Sequence, residues 1–546
     1  GMMSTLSGCG SKKDEVIKLD VYSQLANFSG KQTGWSADIL KDKFGVELNI
    51  IPEGDGVFQT RMTSGDLGDI VVWANDSDNY PNAVKANLLL NWDDDGLLDE
   101  YGKTIKKMMP DALDKNRNLT SKITNGKSKA LYGFGNNVAL SSKEHQSFFY
   151  TWDVRWDLYK QLGYPKVKDM QDMHKLLKNM QKICSKDDAG NKVYALWPDW
   201  DDSMVMYVKA TATAYYGYDE LGIGLYDPKT GTYHDALEKN GPYLEMLKWY
   251  NDLYRDGLID PDSMTQTFDQ MAEKVQNGGV LFSIFNYSGS LSYNTDEHTS
   301  KGKLMYCMKP EQASPIVYGM NTQGGESVWS IGANCEYPEK CMELINYFAT
   351  PEGRMTLQYG PKGLCWDYDD QGNTIFTEFG RKCRADENTT MGNGYKGSFH
   401  DGCLQINNTT WSIDAENPDS NGDTYNSVNW KSNLEKAKSD IEQDWRDYNK
   451  TNSINAYFEK GKYTVSPGTS FSLSTKDDTL KTVWGQVTTC IKNESWKALY
   501  AKSDAAFEKQ VNHMISSAKK YGYDKCLKWS QNEAKTRKSL EDQLTQ

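Results

Sequence analysis

Nowhere in the 546 residues do eighteen apolar residues run together, so no segment reads as a membrane-spanning helix. Histidine is scarce: the 6 present show no clustered spacing, and the cysteines are scattered without a CxxC pair, so neither a zinc knuckle nor a redox dithiol is supported. The motifs GxSxG and HExxH are both absent, which removes the common serine-hydrolase and metalloprotease readings. Gly96 to Thr104 approaches a phosphate-cradling loop, but five residues separate its glycines where four are needed, and no strand precedes it. Asn417 to Asp423 approximates a calcium loop, yet it opens on Asn and carries Val428 at the twelfth position, where a bidentate Glu belongs. No cofactor and no metal are expected. Lysine and arginine form no stripe: 62 basic residues stand against 75 acidic ones, a formal net charge of -13, so nucleic acid is not an expected partner. The same surplus argues less strongly against polyanionic glycans, because a cleft can be locally positive within an acidic protein.

What is abundant is aromatic. Rings make up 12% of the chain, with 16 Trp and 33 Tyr, more than an ordinary core requires, and amphipathic rings serve sugar sites and wet interfaces. The length exceeds what one compact core supports, and the 25% of charged residues are too well mixed for disorder, so two lobes or more are expected. Val16 to Tyr22 reads as a buried strand, Trp35 to Phe44 as a helix stopped by Gly45, and Val46 to Ile51 as a second strand. A helix around Phe58 to Thr63 then leads to a third strand, Ile70 to Trp73. Strand and helix in alternation predict a parallel sheet, with ligands beyond its carboxyl ends. Farther on, Leu244, Leu247, Tyr250 and Tyr254 share one helical face, Gly278-Gly279 breaks into a strand from Val280 to Phe285, and Phe507, Val511, Met514 and Ala518 line a late helix. These faces read as core.

Several segments resemble known patterns. Leu6-Ser7-Gly8-Cys9 fits the lipobox of bacterial lipoproteins, with Gly10 to Glu15 as a flexible tether; Cys9 is the expected lipid attachment, and Gly1 reads as a cloning remnant on a trimmed signal peptide. Ser64-Gly65-Asp66-Leu67-Gly68-Asp69-Ile70 resembles the "SGDxPD" segment of family 1 extracellular solute-binding proteins, with Gly68 where that family usually has proline. Arg155 to Pro165 resembles the family's "RxDxxxxLGxP" segment, Tyr250 to Pro261 its "YNxLYxxGLIDP" segment, and Ala349-Thr350-Pro351-Glu352-Gly353 its "SPEG" helix. The matches run in family order over residues 16 to 365, while about 370 to 480 matches nothing quotable.

The resemblance implies an α/β protein of the two-lobed periplasmic-binding-protein-like type II fold, with hinge crossings and a C-terminal helical extension. It implies residues 15-147 plus 333-375 as one lobe and 148-332 plus 376-546 as the other, after a leader and tether at 1-14. A neutral oligosaccharide closed between lobes and delivered to the membrane permease subunits of an ABC importer is the implied function. The expected protein is a lipid-anchored monomer on the outer face of the cell membrane. Sugar capture asks for flat rings beside C–H groups and for amides, carboxylates or guanidinium groups bridging hydroxyls. Candidates at strand ends and crossings are Gln24, Trp73, Asp76, Trp152, Arg155, Trp197, Trp200, Asp201, Asn286, Tyr287, Trp329 and Trp366. Trp73-Ala74-Asn75-Asp76 resembles the "WAHD" loop of maltodextrin receptors; Asp157 is expected to cap the helix that follows it. Trp411 and Trp430 suit a lid or packing, and Cys335 and Cys341 flank an expected helix start and could bridge. A surface glycan-binding lipoprotein without a transport role, a secreted glycoside hydrolase, and a peptide cargo stay open as alternatives.

Overall fold

The computed structural model describes residues 15–544 except 55, 78, 143, 196–204, 326, 409 and 410. It divides into two compact units that the chain enters alternately: residues 1–144 with 320–434, and 145–319 with 435–546. The expected lobes need correction at three places, the smallest being residues 145–147, which fall in the second unit. Residues 320–332 join the first unit because the Val328–Ile331 strand pairs with both Ile70–Trp73 and Phe134–Gly135. Residues 376–434 join it because the Trp35 indole stacks on Phe399 and donates its Nε1–H to the Phe399 carbonyl at 2.8 Å, while the Gln405 side chain bonds Thr33 on both sides of its amide. Helical periodicity and strand alternation are silent about contacts of this kind, made by loops across more than 350 residues of chain.

The first unit is built on a six-stranded sheet in the order Gly30–Lys31, Val46–Pro52, Ile17–Ser23, Ile70–Trp73, Val328–Ile331, Phe134–Gly135. Its three central strands from the start of the chain are parallel, as the strand–helix alternation requires. Ile70–Trp73 is buried at every residue, which is why it reads as a continuous apolar run rather than an alternating one. The first helix, Gly34–Phe44, ends where Gly45 takes φ 64° and its N–H bonds back to the Lys41 carbonyl. Gly68 sits at φ 120°, a conformation closed to the proline usual at that point of the motif, so the turn into the third strand takes its own path here. The Cys335 and Cys341 sulfurs lie 3.5 Å apart as free thiols. Treatment with a small-molecule disulfide is expected to join them, read by mass spectrometry as two hydrogens lost from the 335–341 peptide; intact thiols after treatment would exclude it.

In the second unit, Phe282–Phe285, Tyr150–Arg155 and Met305–Cys307 form an antiparallel sheet. The expected apolar helix is Pro242–Arg255, with Leu244, Leu247 and Tyr250 buried in the core and Tyr254 packed against it. Three helices, Asp478–Leu499, Asp504–Tyr521 and Tyr523–Leu544, make the C-terminal extension, and Phe507, Val511, Met514 and Ala518 are its buried face. The extension is tied down: the Asn251 amide donates to the carbonyls of Leu499 at 2.9 Å and Ala501 at 2.7 Å. No helix among the described residues is long and apolar enough to cross a membrane.

Candidate functional site

In the first unit, the carboxyl ends of the three parallel strands converge on a polar rim. Gln24 follows the first strand; its Oε1 accepts the Ala74 N–H at 2.9 Å and its Nε2 donates to the Tyr22 hydroxyl at 3.2 Å, so the loops after the first and third strands are locked together. Glu53 follows the second strand, accepts the Tyr22 hydroxyl, and takes the N–H groups of Gly54 at 3.0 Å and Phe58 at 3.3 Å on its Oε1. Burial and the adjoining Glu53 carboxylate push the Tyr22 phenol well above its usual range, so it stays a donor. Asp76 closes the third loop, half-buried, and its charge favours the ammonium of Lys115, which burial drives down and whose Nζ donates to the Gly324 carbonyl at 2.8 Å. The rim thus holds an amide, two carboxylates and an ammonium at one end of the sheet, the groups that bridge vicinal hydroxyls.

The second unit gathers aromatic rings at a strand end of its own. Tyr287, two residues past the Phe282–Phe285 strand, stacks on Phe285 with centroids 5.1 Å apart and on Phe149 at 5.9 Å. Phe149 precedes the Tyr150–Arg155 strand, and Phe285 pairs with Tyr150, so the three rings gather at one end of the sheet. Phe149 is 41% exposed and Leu291, nearby in the chain, 73% exposed, an apolar surface standing in water. Asn286, half-buried, holds the turn by accepting the N–H groups of Gly289 and Leu291 on its carbonyl.

Five expected contacts turn out to be core. Trp73 is fully buried, edge-on to Tyr22, Phe58 and Tyr80, with its Nε1–H on the Ser330 hydroxyl at 3.2 Å. Trp152 is buried at φ 49° with its indole on the Ala214 carbonyl, Trp329 is buried in the first unit, and Trp366 donates to the Gly360 carbonyl at 2.8 Å. Arg155 is buried in a two-bonded ion pair with Asp157, at 3.0 and 2.8 Å; Asp157 is therefore a salt-bridge partner, and no side chain caps the Trp156–Gln161 helix. In four of the five, Trp329 excepted, an aromatic or charged residue beside a strand end packs inward where its neighbours supply the hydrogen bond it needs. Trp411 and Trp430 are packing residues, the first edge-on to Trp329 and the second bonded to the Thr424 carbonyl. Trp197, Trp200, Asp201 and Cys9 lie outside the described residues. In the Asn417 to Asp423 loop, the Asp423 carboxylate is occupied by the N–H groups of Thr374 and Lys431, and among the described residues no cluster of three His, Cys, Asp or Glu is placed to hold a metal ion.

A family model described as bacterial extracellular solute-binding protein matches residues 35–364, more than half of the chain. The chain belongs to the bacterial extracellular solute-binding proteins. No curated protein sequence matches it. Among solved structures it is similar to an extracellular solute-binding protein from Bifidobacterium longum subsp. infantis, at 13% identity and TM-score 0.58, covering 96% of this chain and 99% of that one. An "HMO binding ABC-transporter associated" solute-binding protein from Bifidobacterium longum infantis gives 13% identity and TM-score 0.54, covering 95% and 99%. The N-glycan transport solute-binding protein NgtS of Streptococcus pneumoniae gives 16% and 0.51, covering 96% and 99%. At such identities the likeness is one of fold.

For this solute-binding protein the sequence pointed to Gln24, Asp76, Asn286 and Tyr287, and these do stand half-buried at strand ends. It passed over Glu53, Lys115 and Phe149. Glu53 carries a readable signal, since it directly follows the second strand and the rule that ligands lie past strand ends applies to every strand, including that one. Phe149 is readable too, one residue ahead of a strand. Lys115 lies mid-helix in Pro110–Ile123, and only the fold brings it to the rim.

Proposed function

We propose that this solute-binding protein captures a neutral oligosaccharide and delivers it to the permease subunits of an ABC importer, closing on its cargo about the chain crossings. The observation that carries the reading is the exposed Phe149 stacked on Tyr287, a flat apolar platform at the end of a sheet, in a chain whose other unit presents an amide, carboxylates and an ammonium. Rings for C–H faces and planar polar groups for hydroxyls are the two chemistries a sugar uses. Two solved structures of similar fold, an HMO binder and an N-glycan transport protein, support a glycan cargo. We further propose that Cys9 carries the lipid that holds the protein on the outer face of the cell membrane, and that the protein acts as a monomer without turning over its cargo.

The test is calorimetry after a thermal-shift screen of neutral oligosaccharides, short peptides and uronate oligomers. Tyr287→Ala and Gln24→Ala are each expected to weaken the sugar found by about 3–10-fold, the scale of one ring contact or one hydrogen bond. Affinity unchanged in both variants would sink the assignment of these surfaces. Shifts with peptides alone would replace the cargo, and hydrolysis of a chromogenic glycoside would overturn the reading as a binding protein.

A further inference from the structure

The first unit holds a cavity of about 70 Å³ between the start of the Gly34–Phe44 helix, the Pro351–Tyr359 helix and the segments 402–407 and 411–413. Arg354 lines it. Its residue is 92% buried, and among the described residues its guanidinium makes no hydrogen bond and no ion pair; it lies over two rings, 5.8 Å from the centroid of Trp411 and 5.0 Å from that of Tyr425. None of the residues lining the cavity is acidic. The nearest carboxylate to influence it is Glu144, whose oxygens are taken by the N–H groups of Leu140 at 3.0 Å, Ser141 at 3.2 Å and Glu416 at 2.6 Å. Two more donors on the cavity wall, Trp329 Nε1 and Tyr425 Oη, are buried without a hydrogen-bond partner. A buried cation with no counter-charge and two orphaned donors around one cavity is a costly arrangement for a fold to keep empty.

The chemistry of an occupant follows from the walls. A guanidinium presents a planar fork that matches a carboxylate through two parallel bonds, which a spherical halide does not use. Beside Arg354 the walls carry no second charge: Phe348, Leu357, Ile406 and Ile413 give an apolar side, the rest is neutral polar side chains and rings, and the half-exposed Leu404 stands at the rim. At roughly 10–15 Å³ for each water-sized sphere, the volume admits about five heavy atoms. We propose that this cavity is a second ligand site of the protein, for a short aliphatic monocarboxylate whose anionic end pairs with Arg354 and whose tail lies against Phe348 and Ile413. The site lies wholly within the first unit and does not depend on the oligosaccharide reading.

The test titrates the full chain with sodium acetate, propionate and butyrate, against sodium chloride at matched ionic strength, and follows the melting temperature. Propionate or butyrate is expected to raise it saturably, by about 5–10 °C at a hundredfold excess over Kd, with chloride giving no saturable shift. Arg354→Met, which keeps the volume and removes the charge, is expected to fold and to lose the shift. Arg354→Lys, which keeps the charge and loses the fork, is expected to weaken binding at least tenfold, so the proposal stays testable if the Met variant fails to fold. An equal shift with chloride, no saturable shift with any of the three acids, or a shift that survives in Arg354→Met would each overturn it.

Discussion

Trp73→Ala is expected to destabilise the protein by about 3–5 kcal/mol, the range for truncating a buried large aromatic, and to do so with or without sugar present. The residue is the last of the strand whose end forms the polar rim, and its position invites a role in stacking on cargo. Its surroundings decide otherwise. Three rings meet it in edge-to-face geometry at centroid distances of 5.7 to 6.5 Å, and the Ser330 hydroxyl takes its N–H, so the indole is fully buried and its polar edge satisfied within the first unit. The informative variant is Trp73→Phe, which retains most of the apolar volume and removes the donor. For a core residue it lowers the unfolding midpoint in urea while sugar affinity, measured well below the transition, stays within about threefold. For a cargo-stacking residue the pattern inverts, with affinity lost and the midpoint kept. That inversion would return Trp73 to the binding surface.

The contrast between Trp73 and Tyr287 marks how far residue type and position carry. Both are aromatic and both stand at a strand end, and the sequence names both as candidates. What separates them is whether neighbouring segments close over the ring: Phe58 and Tyr80 come from helices on either side of the Ile70–Trp73 strand, whereas Tyr287 meets Phe149, which itself remains exposed. The fold was more legible. The first three strands, the helix stop at Gly45 and the apolar faces of the Pro242–Arg255 and Asp504–Tyr521 helices were all readable, because each rests on a local period or a single cap. The membership of residues 376–434 was not, because it rests on the Trp35–Phe399 stack and the Gln405 bonds to Thr33, contacts with no periodic trace. Arg155 shows the same limit for charge: the Asp157 that neutralises it is only two residues away, yet side-chain direction decides whether such a neighbour is a cap or a partner.

Asp153→Asn is expected to stabilise the protein at neutral pH relative to its effect in acid, by about 3 kcal/mol. Asp153 is wholly buried in the central strand of the second unit's sheet, where burial pushes its carboxyl up to about 6; the Ser290 N–H at 2.8 Å and the Cys307 thiol at 3.9 Å offset only part of that cost. A folded-state pKa above the ordinary 3.8 means the folded chain holds this proton more tightly than the unfolded one. Stability from this group is therefore complete below about pH 4, falls as pH rises through about 6, and stays low above, at 1.36 kcal/mol for each pH unit between the two values. Carboxylates held low by cationic partners, such as Asp188 and Asp444, pull the other way. They do so equally in both proteins, so they cancel when the variant is subtracted from the wild type. The asparagine keeps an oxygen to accept the Ser290 N–H and has no charge to bury. Urea unfolding of both proteins at pH 4, 5, 6 and 7 should then give a stability difference that climbs steeply between pH 4 and 6 and flattens by pH 7. Parallel pH profiles would mean that Asp153 ionises as easily in the folded chain as in water, and that the sheet around it is open to solvent.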